Sequence, residues 1–424
     1  MKINIFLIIL SCNLVFNQNY NNSKIINVPN MDFLPGVFTG LDILIERNFD
    51  LIKNKKIAVF TNQTSVDRNG NHLLDILSNY SDLFQIKVVF TPQHGVLLNP
   101  YQNIESSENN IDLIFNSKIK RLWDNEYIPT TNDLFDVDII LIDIQDTGIR
   151  FHTIMTTLTK IMESASTNSI PVLLLDRPNP LNGVIIDGPI VRPKYQSFRG
   201  YHLVPIRHGL TIGEYALMIN ETGWIRQSLK CDLTILPMSN WKRSIVDYNF
   251  KLPYWKNINS YKALKLSYGM SLFEGTNLSF GEGTLKPFQV IGSPWLVPDQ
   301  LILGLRKKKL EGVNFIKTEF FPDSISNLIS NPIYKGTKCY GVELEIYDID
   351  KFDPLKTALS ILSIIANLDR RFQWTGSNYI DFLFGHNYLR LFIAQKREIN
   401  KLPATWSKEV IKFNEFRERF LIYN

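Results

Sequence analysis

The chain has 424 residues, 45% of them hydrophobic and 21% charged, globular values that exclude a disordered protein and allow two or three ordinary domains. Its formal net charge of +5 is small for that length, and the basic residues are scattered apart from Arg306-Lys307-Lys308-Lys309. That run reads as a solvated helix end, so no nucleic-acid partner is expected.

The first residues, MKINIFLIILSCNLVFNQ, place one Lys before an apolar run that ends at Phe16 and gives way to a polar stretch over 17–24. The run is too short for a stable transmembrane helix and fits a secretory signal over 1–18, followed by a linker over 19–39. Export to the periplasm or beyond is expected. Cys12, after Leu10-Ser11, offers a second reading, lipid attachment. No other segment has the length of an apolar span. Only Cys231 and Cys339 lie beyond the signal, in strand-like segments of different regions, and read as buried thiols without a disulfide or metal role.

Several apolar runs then end alike. "KKIAVFTNQT" is a strand over 55–60 ending in Thr61-Asn62-Gln63-Thr64. "IKVVFTPQHG" ends in Gln93-His94, "VDIILIDIQDTG" in Asp143, Gln145 and Asp146, and "IPVLLLDRPNP" in Asp176-Arg177-Pro178-Asn179. Nearly continuous Val, Ile and Leu indicate strands buried on both faces, hence a parallel sheet. Helical segments over 71–80 and 151–168 alternate with them. A third helix over 212–221 opens on a capping box, Thr211 with Glu214, and "CDLTILPMSNW" supplies a further strand. The fold class is α/β, with a Rossmann-like, doubly wound domain over 40–245. The pattern breaks across 241–262, and a smaller α/β domain over 246–424 follows. It carries the Gly-rich "FEGTNLSFGEGTLKPFQVIGSPW", a strand in "YGVELEIYD", and helices over 354–368 and 407–420.

In doubly wound sheets ligands bind beyond the carboxyl ends of the strands, and here four strands deliver polar residues to that edge. Each terminus alone is also compatible with a plain turn, because Asn, Asp, Gly and Pro are turn residues. No P-loop, no G-x-G-x-x-G after the first strand, no G-x-S-x-G elbow and no paired-His or Cys/His cluster is present. Neither a metal nor an organic cofactor is expected. What is left is carboxylates, amides, Arg and His on loops. Gln93, His94, Asp146 and Glu274 are the candidates for catalysis. Asn62, Asp143, Gln145, Arg150, Arg177, Asn179, Arg207, His208, Thr276 and Asn277 are the candidates for substrate binding. Arg150 follows Asp146 closely enough to pair with an anionic group or to lock an Asp, and two prolines fix where Arg177 and Asn179 point. With Phe151, Trp241, Tyr254 and Trp255 nearby, these polar loops suit a carbohydrate, and paired Arg residues suit an anionic one. Glycoside hydrolysis normally needs two carboxylates across the bond.

The stretches "GLDILIERNFDLIKNKKIAVFTNQTSVDRNG", "PQHG", "DIQDTGIRF", "LDRPNPLNG", "DGPI", "RHGLTIGE", "CDLTILPM" and "FEGTNLSFGEGT" resemble the YbbC/NamZ family of secreted exo-β-N-acetylmuramidases, from about Gly40 to the C-terminus. The resemblance implies a Rossmann-like domain, a smaller C-terminal domain and an active site in the cleft between them. It also implies release of N-acetylmuramic acid from the non-reducing end of peptidoglycan fragments, with its lactyl carboxylate held by Arg150, Arg177 or Arg207. The family motif is Pro-Glu-His-Gly, and its Glu is the favoured catalytic carboxylate; here Gln93 stands in that place. An amide does not exchange a proton as a carboxyl does. Nearby, "VLLNPYQNIE" leaves Glu105 as the acid closest to the family's Ala-Gly-Glu, and His152 replaces a family Tyr. Three readings follow. One is an exported glycosidase, slow or altered, with Glu105, Glu274 or Asp146 taking over the acid role. Another is a protein that binds cell-wall fragments without cutting them. A hydrolase for another sugar is a third.

Overall fold

In the computed structural model, which describes residues 20, 22–28, 36–92, 111–112, 117–123, 127–246, 258, 260–325 and 329–424, the apolar runs form one sheet. Its strands are β1 (Ser23–Ile25), β2 (Lys56–Phe60), β3 (Gln85–Thr91), β4 (Ile111–Asp112), β5 (Ser117–Arg121), β6 (Ile139–Ile142), β7 (Val172–Leu175) and β8 (Leu233–Leu236). The spatial order is β1-β8-β7-β6-β2-β3-β5-β4, and every neighbouring pair is parallel except β4 with β5.

Period-two alternation explains why these strands are apolar throughout. Ile57, Val59, Val89, Leu141 and Leu173 face a core that includes Leu41 and Leu44 of α1 (Gly40–Glu46) and Leu73 and Leu77 of α2 (Leu73–Ser78). Ala58, Phe60, Val88, Ile140 and Leu174 face the other way, onto α3 (Ile154–Thr167) and α4 (Ile212–Thr222). Both faces are buried, as a doubly wound sheet requires. Thr211 and Glu214 form the expected capping box on α4, and Gly223 ends it in the left-handed conformation.

The second unit holds a three-stranded antiparallel sheet, ordered β10 (Val313–Phe320), β11 (Cys339–Ile346), β9 (Val290–Ser293). It packs with α5 (Tyr261–Met270), α6 (Pro298–Arg306) and α7 (Pro354–Leu368) around one core. The basic run that begins at Arg306 closes the end of α6. Three further helices follow, α8 (Tyr379–Phe384), α9 (Tyr388–Ala394) and α10 (Ser407–Arg417). Cys231 and Cys339 are free and buried.

Two sequence expectations change. The stretch 19–39, expected to be a linker, supplies β1, whose Ser23 pairs with Leu233 at the sheet edge. The chain also does not divide cleanly near residue 246. Ile149, Phe151, Leu181 and Ile206 belong to the second unit's core, while Phe413 and Phe420 return to the first unit's. The last residues strap that return down. The Tyr423 hydroxyl donates to Asp176 Oδ2 at 2.6 Å, Ile422 N–H to Glu214 Oε1 at 2.9 Å, and Arg243 N–H to the Asn424 carbonyl at 2.9 Å. No helix among the described residues is long and apolar enough to cross a membrane.

Candidate active site

The four strands that end in polar residues, β7, β6, β2 and β3, are consecutive in the sheet, so their carboxyl ends converge on one edge. Most of the side chains singled out there serve the frame. Asp143 and Arg177 are fully buried and pair with each other in two parallel bonds, Nε–Oδ1 2.5 Å and Nη2–Oδ2 2.7 Å. Arg177 Nη2 also donates to the Val66 carbonyl at 3.1 Å. Gln145 Nε2 donates to the carbonyls of Asp146 and Pro178, at 2.8 and 2.7 Å. Asp146 Oδ2 accepts from Gly148 N–H at 2.8 Å and stands 3.5 Å from His208 Nε2. His208 Nδ1 in turn accepts from Leu210 N–H at 3.2 Å. Gly148 has φ +75°, and a Cβ there would lie 2.4 Å from the Asn179 Oδ1. Asn179 completes that contact by donating to the Leu210 carbonyl at 2.9 Å.

The arginines behave likewise. Arg150 donates to the carbonyls of Pro189, Val204 and Leu383, at 2.7, 2.9 and 2.7 Å, and burial pushes it down to about 9. Arg207 donates to the Leu181 carbonyl, and burial lowers it as well. Asn277 ties its loop to the Arg371 carbonyl at 2.8 Å and the Gln373 N–H at 2.9 Å. Thus Asp143, Gln145, Asp146, Arg150, Arg177, Asn179, Arg207, His208 and Asn277 do not line the cleft described next. For all but the part-exposed Asn277 the physical reason is burial: a buried charge or amide must be satisfied, and most polar atoms of these side chains are engaged by each other or by main-chain groups. A few atoms at this edge, Gln145 Oε1, Asp146 Oδ1, Arg177 Nη1 and Thr91 Oγ1, have no partner among the described residues.

Three predicted residues do reach a cleft of about 560 Å³ between the two units: Asn62, Glu274 and Thr276. Its first wall is built from the ends of β2 and β3, with Asn62, Gln63 and Pro92, and from the segment after β6, with Phe151 and His152. Pro92 directly precedes Gln93; Gln93, His94 and Glu105 lie outside the described residues, as do Tyr254 and Trp255. Trp241 is buried edge-on against Tyr423, with centroids 5.1 Å apart, away from the cleft lining.

The second wall carries the carboxylates. Glu274 sits in a 3-10 turn, Ser271–Gly275. Gly275 is pressed so closely on α8 that a Cβ would lie 2.7 Å from the Cβ of Ile380, and Thr375 Oγ1 donates to the Glu274 carbonyl at 3.1 Å. Glu282 is held between Gly281 (φ +82°) and Gly283 (φ +79°). A Cβ at either glycine would meet a carbonyl, Lys286 at 2.4 Å or Asp323 at 2.5 Å, so the turn that presents Glu282 tolerates only glycine on each side. The Arg199 guanidinium enters from the first unit and pairs with the Glu274 carboxylate across the cleft. Burial works against its charge, but Glu274, together with Tyr379 and Glu282, holds Arg199 above its ordinary value. Burial pushes His152 down to about 4 despite the nearby Asp146, so its imidazole is neutral near pH 7.

Arg199 and Glu282 were not among the predicted site residues. Glu282 lies in the Gly-rich stretch "FEGTNLSFGEGTLKPF", but nothing in its local sequence distinguishes it from an ordinary loop carboxylate. Arg199, in "QSFRGYH", follows no strand end and no recognisable turn signature, so nothing in the sequence pointed to it. Together the described lining offers two carboxylates, a guanidinium, a neutral imidazole, amide and hydroxyl groups, and the rings of Phe151, Phe273, Phe280 and Phe288. That mixture fits a sugar: polar groups for hydroxyls, rings for C–H faces, and paired carboxylates for the glycosidic bond.

Residues 57–264 match the N-terminal domain of the exo-β-N-acetylmuramidase NamZ, and residues 266–423 match its C-terminal domain. The chain belongs to the NamZ family. That membership makes it a muramidase-like glycosidase and bears out the resemblance read from its motifs. It is 35% identical over 395 residues to the peptidoglycan β-N-acetylmuramidase NamZ of Bacillus subtilis (strain 168), covering 92% of each chain. Two solved DUF1343 family proteins of Bacteroides fragilis share its fold. One has a TM-score of 0.79 at 25% identity, the other 0.74 at 32%, each match covering 92% of this chain and 99% of theirs.

Proposed function

We propose that this NamZ-family protein is an exported exo-β-N-acetylmuramidase that removes N-acetylmuramic acid from the non-reducing end of peptidoglycan fragments. The observation that carries the reading is the pair of carboxylates, Glu274 and Glu282, mounted on one wall of the cleft opposite the polar ends of β2 and β3. In this reading Glu274 and Glu282 supply the proton transfer and charge stabilisation that glycoside hydrolysis needs, and Gln93 contributes an amide hydrogen bond. Neutral His152, Asn62 and Thr276 orient the ring. The apolar run before Phe16 supports export.

Gln93 favours one competing reading, a protein that holds muramyl sugars without cutting them, because an amide stands where the family motif has Glu. Incubating the purified protein with the disaccharide of muramic acid and N-acetylglucosamine separates the two. Free N-acetylmuramic acid in the products is the expected result. Binding of the disaccharide without release of either sugar would leave the non-catalytic reading standing.

A further inference from the structure

Among the described residues that line the cleft, Arg199 is the one fixed cation. Its position is set by a tight turn in which Ser197 and Gly200 exchange main-chain bonds of 3.3 and 3.0 Å, leaving Phe198 and Arg199 at the tip. Phe198 anchors the tip. Its ring meets Trp123 and Tyr127 edge-on, each at 5.9 Å between centroids, and its carbonyl accepts from Thr156 Oγ1 at 2.8 Å. Arg199 therefore projects from a braced loop rather than from a free one. Unlike Arg150, Arg177 and Arg207, which are buried on main-chain carbonyls or on Asp143, Arg199 keeps 37% of its side chain open. A guanidinium has five N–H donors, and Glu274 engages Nη1.

We infer that Arg199 is the residue by which this cleft selects an acidic sugar, its guanidinium pairing with a carboxylate on the substrate alongside Glu274. The inference rests on the muramidase reading and names its specificity residue. N-acetylmuramic acid is N-acetylglucosamine carrying a lactyl ether, so the two sugars differ by that acid alone. Glu274 and Glu282 both act on Arg199, and with them the described lining bears two negative charges to one positive. The cleft is therefore not a long-range attractor of anions. Selection comes from short-range, charge-assisted hydrogen bonds to the donors that Glu274 leaves open, for which a planar fork is suited and a lysine is not.

The test is calorimetric binding of N-acetylmuramic acid, its methyl ester and N-acetylglucosamine to the full protein, native and with Arg199→Gln or Arg199→Lys. The native protein is expected to bind the acid roughly ten- to a hundredfold more tightly than N-acetylglucosamine. The methyl ester, which loses the charge without any change to the protein, should bind no better than N-acetylglucosamine. Arg199→Gln should bring the ratio of acid to N-acetylglucosamine close to one, and Arg199→Lys should leave an intermediate ratio. A preference for the acid that survives in a folded Arg199→Gln protein, or an ester that binds as tightly as the acid, overturns the inference and leaves the muramidase reading intact. A native protein that neither binds nor releases either sugar overturns both.

Discussion

Replacing Arg177 by Met tests whether the buried pair at the strand ends is frame or binding site. Asp143 and Arg177 have no exposed side-chain surface and meet at 2.5 and 2.7 Å. Removing one partner strands the other charge in the interior, which costs about 3–5 kcal/mol. With an unfolding entropy of about 2.1 cal/mol/K per residue, ~4 kcal/mol lowers the melting temperature by roughly 5 °C if all 424 residues unfold together. If the first unit, ~200 residues, unfolds alone, the drop is roughly 10 °C. Asp143→Leu combined with Arg177→Met removes both charges, so it should lose less than the sum of the two single changes. Scanning calorimetry on the three variants reads this directly, with sugar binding measured on the same samples. A single Arg177→Met that melts like the native protein while losing affinity for N-acetylmuramic acid would refute the reasoning and return Arg177 to the substrate.

Other outcomes follow from the same geometry. Glu282→Gln should lower kcat by roughly a hundredfold or more with little change in melting temperature; an unchanged rate removes Glu282 from the chemistry. Gly283→Ala should destabilise, because the residue has φ +79° and a Cβ would sit 2.5 Å from the Asp323 carbonyl; a native-like urea midpoint contradicts that strain. Burial, aided by Glu214, pushes Asp176 up to about 7, although the Tyr423 and Thr211 hydroxyls and the Gly213 and Arg177 N–H groups all donate hydrogen bonds to it. Its neutral form is thus favoured in the fold. Its stability contribution is full below about pH 4 and is lost as pH rises towards 7, a span worth on the order of 4 kcal/mol. Urea midpoints measured from pH 4 to pH 8 should fall less steeply for Asp176→Asn than for the native protein, and equal slopes would contradict the assignment.

The sheet was legible because burial on both faces writes itself as uninterrupted Val, Ile and Leu, and because α4 and α7 carry their own start signals, Thr211-Glu214 and Asp353-Pro354. The polar edge of the sheet was legible for the same reason, since four neighbouring strands stop at polar residues. Which of those residues face a ligand was not legible. Asp143 and Arg177 look alike in sequence whether they grip a substrate or each other, and only the depth of the site decides between them. Arg199 was invisible because its role depends on Phe198 finding Trp123 and Tyr127, a contact across more than seventy residues. β1 was missed because three residues of edge strand, Ser23-Lys24-Ile25, are too few to show a period. The domain division blurred because the C-terminal strap, including Tyr423, pairs with Asp176, a contact no local pattern records.

Hydrolysis of a chromogenic β-N-acetylmuramide by the native protein, Glu274→Gln and Gln93→Glu, run side by side, tests the central claim most directly. The account predicts turnover by the native protein and a fall of roughly a hundred- to ten-thousandfold in kcat for Glu274→Gln. A native protein without turnover, beside a Gln93→Glu variant that cleaves, would contradict it and make this cleft a binding site.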